Sequence, residues 1–259
     1  MSYRLPDAAD KPAYVQARFD AIARRYDLFN DLITQGQHRW WKRTLVNRVA
    51  GAVEIKAPGV RGLDLCCGTG DIAQRALAGM GMGAGEAGGT GGANGGMVML
   101  DFSANMLSIA QNRLRRAGTQ PARRLLTRGD AMALPFEDGA FQFVTVGFGL
   151  RNVSDLGGCL QEIHRVLAPG GVLASLDVGK VRPRWIKALA DLYFFRVVPL
   201  IGRMIQPGEE MFTYLPESSR SYPSQEALAA ILAEHGFQRV EVLNYMFGSA
   251  AIHLARKPG

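Results

Sequence analysis

Cysteine is scarce: three in 259 residues, two of them neighbours at Cys66 and Cys67. That number and spacing exclude a disulfide framework and offer no zinc-ligand pattern, so no metal is expected. A reducing cytosol is the setting such sparse thiols imply. Long apolar runs are missing too. The most apolar region, 186–205, is broken by Lys187, Asp191, Arg196, Pro199 and Arg203, which excludes a membrane span. The first residues, with Arg4, Asp7, Asp10 and Lys11, have no apolar core of a signal peptide. What is present is 47% hydrophobic content, enough for one sizeable core, and residues 1–259 read as a single globular domain with additions. A net charge of +7 and a pI near 9.6 suit an anionic partner, a membrane surface or a nucleic acid, and equally suit a generally basic enzyme.

The most informative stretch is Leu63-Asp64-Leu65-Cys66-Cys67-Gly68-Thr69-Gly70-Asp71. An apolar strand carrying Asp64 runs into a turn with Gly68 and Gly70, and a helical pattern starts at Asp71. Glycine accepts positive φ and lacks a Cβ, so a ligand can lie against the backbone there. The helix start adds free N–H groups and a positive dipole end. Gly68 to Ala73 also fits the dinucleotide pattern G-x-G-x-x-A, but many glycine turns do. Asp64 and Asp71 on either side of the turn place negative charge where a pyrophosphate would sit, which disfavours it. S-adenosylmethionine, with a sulfonium centre and an amino group, suits that charge better.

Strand and helix then alternate. Apolar residues from Val15 through Phe19, Ile22, Tyr26 and Phe29 to Ile33 recur at three- and four-residue spacing, which predicts amphipathic helix within an N-terminal cover, 1–50. The helix after the turn runs to about Leu77. Residues 79–96 are mostly glycine, too poor in anything to bury, and read as a flexible insert, with a lid as the alternative. A second strand, Met97–Asp101, precedes a helix capped by Ser103. A third covers 124–127, a fourth 141–147, a capped helix 154–167, and a fifth strand 172–177. The pattern predicts an α/β fold, doubly wound with a mostly parallel sheet. Ligands in such sheets bind beyond the carboxyl ends of the strands. Asp64, Asp101, Asp130 and the 147–151 segment all fall there.

Each acid then has a candidate role. Asp101 offers two acceptor oxygens to a ribose diol. It lies 31 positions past Gly70, and the glycine insert accounts for that length. Asp130 and the Ala131 N–H suit the adenine edge, and a turn acid is the alternative for Asp130. Thr69 lines the methionyl end.

At this point the sequence resembles the ubiquinone/menaquinone biosynthesis C-methyltransferase family. The matching strings are Tyr26-Asp27-Leu28-Phe29-Asn30-Asp31, Leu63-Asp64-Leu65 with Gly68-Thr69-Gly70-Asp71, Ala133-Leu134-Pro135-Phe136, Phe148-Gly149-Leu150-Arg151-Asn152-Val153, Arg165-Val166-Leu167 with Pro169-Gly170-Gly171, and Tyr214-Leu215-Pro216-Glu217-Ser218. The first and fourth are the specific ones; the glycine turn and Pro-Gly-Gly are common to class I methyltransferases. The resemblance implies a seven-stranded sheet with helices on both faces and methyl transfer to a ring carbon of a polyprenylated quinol. It also implies cofactor contacts at Thr69, Asp101, Asp130 and Ala131. Two positions depart from the family: Cys66 and Cys67 replace small residues, and Gly147 stands where some members have serine. The cysteines read as packing residues rather than nucleophiles.

On that resemblance Arg151 is the candidate that stabilises a developing phenolate, an ordinary salt bridge being the alternative. Tyr26, Asn30 and His38 cover the quinol or pack helices. The 182–215 segment is a helical cap insert. It mixes Trp185, Leu189, Tyr193, Phe194, Phe195, Val197 and Ile201 with Arg182, Arg184, Lys187, Arg196 and Arg203, which suits a peripheral site on an anionic membrane or a homodimer surface. Nucleic acid is not an expected substrate: neither an Asn/Asp-Pro-Pro-aromatic string nor a Pro-Cys nucleophile occurs. Phe247 to His253 resembles the menaquinone-only members, so demethylmenaquinol is the first expectation and a ubiquinone precursor the second.

Overall fold

A computed structural model describes residues 10–82, 95–206 and 211–259. Its centre is a seven-stranded sheet in the order β3-β2-β1-β4-β5-β7-β6, built from β1 (Arg61–Leu65), β2 (Gly96–Asp101), β3 (Arg124–Arg128), β4 (Phe141–Gly147), β5 (Leu167–Val178), β6 (Gln238–Tyr245) and β7 (Ala250–Arg256). The first five strands are parallel, and β7 runs antiparallel between β5 and β6. The chain winds from β1 outward to β3 on one side and then from β4 outward on the other. The switch point therefore lies between β1 and β4, where an open α/β sheet leaves its crevice.

Helices cover both faces, which is why β1, β2 and β4 are almost wholly buried and β2 and β4 mostly apolar. On one face α3 (Gln37–Ala52) and α4 (Asp71–Gly79) bring Trp41, Leu45, Ile72 and Leu77 against Met97, Phe143 and Ile252. On the other, α6 (Leu156–Val166) and α10 (Gln225–Glu234) bring Leu160, Ile163, Leu228 and Leu232 against Leu63, Val98, Val144 and Leu173. A third, smaller cluster lies apart from the sheet. There α1 (Lys11–Ile22) and α2 (Tyr26–Thr34) meet α8 (Val198–Ile205) and α9 (Met211–Ser221) through Val15, Ile22, Phe29, Val198, Phe212 and Tyr214. All six apolar residues that predict the N-terminal helices belong to it, so their periodicity marks one buried stripe.

Several local expectations change. The cap of α6 is Asp155, whose carboxylate accepts from Gly158 N at 3.1 Å, while Ser154 donates to Met132 Sδ. Strand β5 starts at Leu167 and carries the Pro169-Gly170-Gly171 turn within it. The glycine insert is shorter than 79–96: Gly79 closes α4, Met80 and Met82 are buried in the core, and Gly96 opens β2. Residues 83–94 of that insert lie outside the described residues, as do 207–210 of the cap. The cap's described part is α7 (Arg184–Leu192), a π-helical turn at Tyr193–Val197, α8 and the start of α9. Among the described residues no helix is long and apolar enough to cross a membrane.

Candidate active site

The tips of β1, β2 and β4 bring the predicted acids together. Asp64 is buried, accepts from Thr145 Oγ1 at 2.7 Å across the β1–β4 pair, and accepts from Ala73 N in the first turn of α4 at 3.1 Å. It ties the strand to the helix that follows the glycine turn. Burial pushes its carboxyl up to about 7. Asp101 is equally buried: one oxygen accepts from Gly68 N at 2.8 Å, the other from Ser103 N at 2.9 Å, and burial pushes it up to about 6. The backbone turns sharply here. Gly68 and Gly70 have φ of +53° and +76°, and Cys66 and Phe148 adopt +52° and +59° at the ends of β1 and β4. Burial, and then the Asp101 carboxylate, push both Cys66 and Cys67 thiols up, which keeps them from acting as thiolates.

Two cavities flank these tips and share Cys66, Asp101, Phe102, Gly149 and Asn152. The smaller, about 50 Å³, is lined by the glycine turn with Tyr26, Lys42, Asp64, Thr69 and Asp71. The larger, about 550 Å³, is lined by Asp130, Ala131 and Met132 with Pro12, Val15 and Gln16 of α1. Asp101 lines both and stands between them. Asp130 is not on a strand. β3 ends at Arg128, and Asp130 is an exposed turn acid whose carboxylate accepts from Met132 N at 3.0 Å, beside buried Ala131.

A third cavity of about 570 Å³ opens on the other side of Phe148, which lines both it and the small cavity. Its wall is apolar, with Ile33, Trp41, Tyr193, Phe194, Met246 and Phe247 among its residues, and it includes Asn30 and Arg151. Arg151 is buried. Its Nη1 donates to Asp177 Oδ1 at 2.7 Å and to Phe148 O at 2.9 Å, and its own N–H donates to Asp177 Oδ2 at 3.2 Å. Burial works against its charge, but Asp177, with Tyr26 and Tyr214, more than offsets that and holds its pKa above the ordinary value. The salt bridge that the sequence offers as the alternative is present: Asp177 orients the guanidinium, while its buried Nε has no partner among the described residues. Asn30 Nδ2 is likewise buried without a partner.

Other candidates are placed differently. Tyr26 lines the small cavity rather than the apolar one. His38 lines none of the three cavities; it is buried on α3 with Nε2 2.8 Å from Asp31 Oδ1. Burial, and then Lys42, hold its pKa below the usual range. Thr69 lines the small cavity, but its hydroxyl donates to Asp27 Oδ1 at 3.0 Å and accepts from Arg113 Nη1 at 3.1 Å. Arg113 also pairs with Asp27, so Asp27 of α2 and Arg113 of α5 (Ala104–Arg116) clamp the cover to the glycine turn.

The charge argument around that turn also changes. Asp71 bonds Lys42 at 3.2 Å and Arg75 at 3.0 Å; burial alone would raise its pKa, but those cations hold it lower. The turn is therefore not ringed by two free negative charges. One acid is paired and the other is buried between a hydroxyl and an N–H. Lys42, Asp27, Arg113 and Asp177 were not among the sequence candidates, because only the folded chain brings them to the site.

The raised Asp64 makes a pH prediction. Between about 4, where an unfolded Asp titrates, and about 7, the folded chain holds the extra proton. The stability this group contributes is thus present at low pH and lost as pH rises towards 7. Asp64→Asn cannot titrate, so relative to wild type it should gain on the order of 2 kcal/mol from pH 5 to pH 8 in urea unfolding. Curves offset by a constant across that range would overturn the assignment.

The fold is that of the class I methyltransferases. Magnesium protoporphyrin IX methyltransferase from Synechocystis, solved with bound S-adenosylhomocysteine, matches 95% of this chain and 99% of its own with a TM-score of 0.65 at 15% identity. A methyltransferase from Thermotoga maritima covers 93% of this chain and 99% of its own at a TM-score of 0.58 and 17% identity. The chain belongs to the ubiE/COQ5 methyltransferase family, whose pattern matches residues 7–257. It is 42% identical to the demethylmenaquinone methyltransferase of Leptospira interrogans over 99% of this chain and 97% of that protein. It is 40% identical to the enzyme of the same name from Lactiplantibacillus plantarum, over 94% and 95%. A ubiquinone/menaquinone biosynthesis C-methyltransferase from Xylella fastidiosa is 39% identical over 98% and 94%.

Proposed function

We propose that this chain transfers the methyl group of S-adenosylmethionine to a ring carbon of a polyprenylated quinol, converting demethylmenaquinol to menaquinol. The observation that carries this reading is Arg151. It is a buried cation whose Nε–H has no partner among the described residues, on the wall of a mainly apolar cavity separated from the cofactor side by Phe148. Bound S-adenosylmethionine supplies an electrophilic methyl group on sulfur. Asp101 holds the ribose; Asp130 and Ala131 face the adenine. The third cavity holds the quinol ring against Phe148, with Asn30 and Arg151 among its polar lining residues. Arg151 stabilises negative charge on the quinol oxygen as its proton leaves or is shared, which makes the neighbouring ring carbon nucleophilic. The carbon–sulfur bond electrons stay on sulfur, and the ring proton departs after the new carbon–carbon bond has formed. Aromatic walls exclude water and fix the approach.

The polyprenyl tail gives the surface a role. Trp185, Leu189 and Leu192 of α7, Leu200 and Met204 of α8, and Phe247 are exposed, Trp185 at 72% and Met204 at 79%. Leu189 and Phe247 also line the apolar cavity, and Lys187, Arg196 and Arg203 lie in the same segment. An apolar rim with basic neighbours fits the cytoplasmic face of an anionic membrane, from which a tailed quinol enters. The test is methyl transfer to demethylmenaquinol and to a demethylated ubiquinone precursor, with flotation on anionic vesicles. Turnover of the naphthoquinol with salt-sensitive flotation is expected. Turnover of the benzoquinol alone would overturn the substrate, and no flotation at low salt the membrane face.

A further inference from the structure

Lys42 has no role in the reaction just described, yet its position calls for one. It lies on α3, is 7% exposed, and lines the small cavity with Gly68, Thr69 and Asp71. An ammonium group carries three N–H donors. Among the described residues Lys42 Nζ has one hydrogen-bond acceptor, Asp71 Oδ2 at 3.2 Å, and that carboxylate is shared with Arg75. Burying a charge this deeply is costly unless its donors are used. Two donors thus remain beside a cavity that abuts the start of α4, whose dipole end also favours an anion.

The other charges nearby define what kind of anion fits. Asp64 lines the same cavity and is buried. A phosphate's multiple negative charge would exceed what Lys42, already paired with Asp71, can balance beside Asp64. A zwitterion would not: an α-carboxylate can take the Lys42 donors while its α-ammonium lies towards the carboxylate side. We infer that Lys42 anchors the α-carboxylate of the cofactor's methionyl end, so that the small cavity is an amino-acid subsite. This deepens the S-adenosylmethionine reading and rests on it. The residue positions the cofactor from α3, which packs beside α4 over the sheet.

The test is calorimetric binding to the full chain, with three ligands that differ only at the amino-acid end. These are S-adenosylhomocysteine, its decarboxylated analogue, and 5′-methylthioadenosine, which lacks that end altogether. Charge-assisted hydrogen bonds of this kind are worth about 10–100-fold in affinity. Wild type should bind S-adenosylhomocysteine about 10–100-fold more tightly than the decarboxylated analogue. Lys42→Gln should lose that preference while binding 5′-methylthioadenosine within about twofold of wild type. Lys42→Met keeps the apolar stem and carries the same comparison should Lys42→Gln fail to fold. Equal losses for all three ligands, or a carboxylate preference that survives in the variants, would overturn the role of Lys42 alone. A wild type that binds none of the three overturns the methyltransferase reading with it.

Discussion

Arg151→Lys should lower turnover by about 100-fold or more while leaving the affinity for S-adenosylhomocysteine within a few-fold of wild type. The lysine keeps the positive charge and can still pair with Asp177. What it loses is the planar fork that lets Nη1 hold Asp177 Oδ1 and Phe148 O while Nε points elsewhere. Removing one preorganised donor from a developing oxyanion costs about 2.7–4 kcal/mol, hence the expected scale. Arg151→Ala is the harsher change. It leaves Asp177, 3% exposed, as a buried carboxylate without its partner, at a cost of about 3–5 kcal/mol in stability. The conservative variant therefore separates chemistry from folding. Single-turnover assays with saturating cofactor read the first, and urea unfolding reads the second. If cofactor affinity falls in step with turnover, Arg151 serves the fold and not the reaction.

The contrast between Arg151 and Lys42 shows where sequence reading reaches and where it stops. Strands β1, β2 and β4 are legible because parallel strands buried on both faces must be apolar throughout, and their terminal acids then stand out. The same logic brings Asp64 and Asp101 to one crevice without any knowledge of contacts. β6 is not legible this way. It is a half-exposed edge strand of mixed residues, Gln238–Tyr245, and its partner β7 follows without a crossover helix and reverses direction, which breaks the strand–helix alternation. Asp130 keeps both of its readings: it follows β3 by two residues and lines the larger cavity, and its carboxylate also bonds its own turn. Lys42 sits in a helix rich in Arg, Lys and Trp, where one more cation looks like a solvated face. Its burial comes from the way α3 packs on α4 over the sheet, and no local spacing encodes that. The Asp27–Arg113–Thr69 clamp is hidden for the same reason. Its three members come from three elements separated by 42 and 44 positions.

Asp101→Asn should weaken S-adenosylhomocysteine binding by about 100-fold or more, although the substitution is isosteric. A carboxylate can accept on both oxygens, and Asp101 does: Gly68 N–H approaches one and Ser103 N–H the other. An amide has one acceptor and one donor. Whichever way it is turned, its NH₂ faces a backbone N–H in a site only 5% exposed, so one of two buried donors goes unpaired. Unpairing Gly68 loosens the turn that shapes the small cavity. Unpairing Ser103 disturbs the residue that caps α5, whose hydroxyl accepts from Met106 N at 3.0 Å. Either orientation also removes the charge that strengthens a bond to a ribose hydroxyl. Titration should reproduce the effect without mutation. Burial pushes Asp101 up to about 6, so its carboxylate is lost on the acid side of that value in the free protein. Affinity for S-adenosylhomocysteine in wild type should therefore fall as pH drops through about 6, and the fall should be largely absent in Asp101→Asn. Calorimetry from pH 5 to pH 8 on both proteins measures it, and parallel pH profiles would show that some other group holds the ribose.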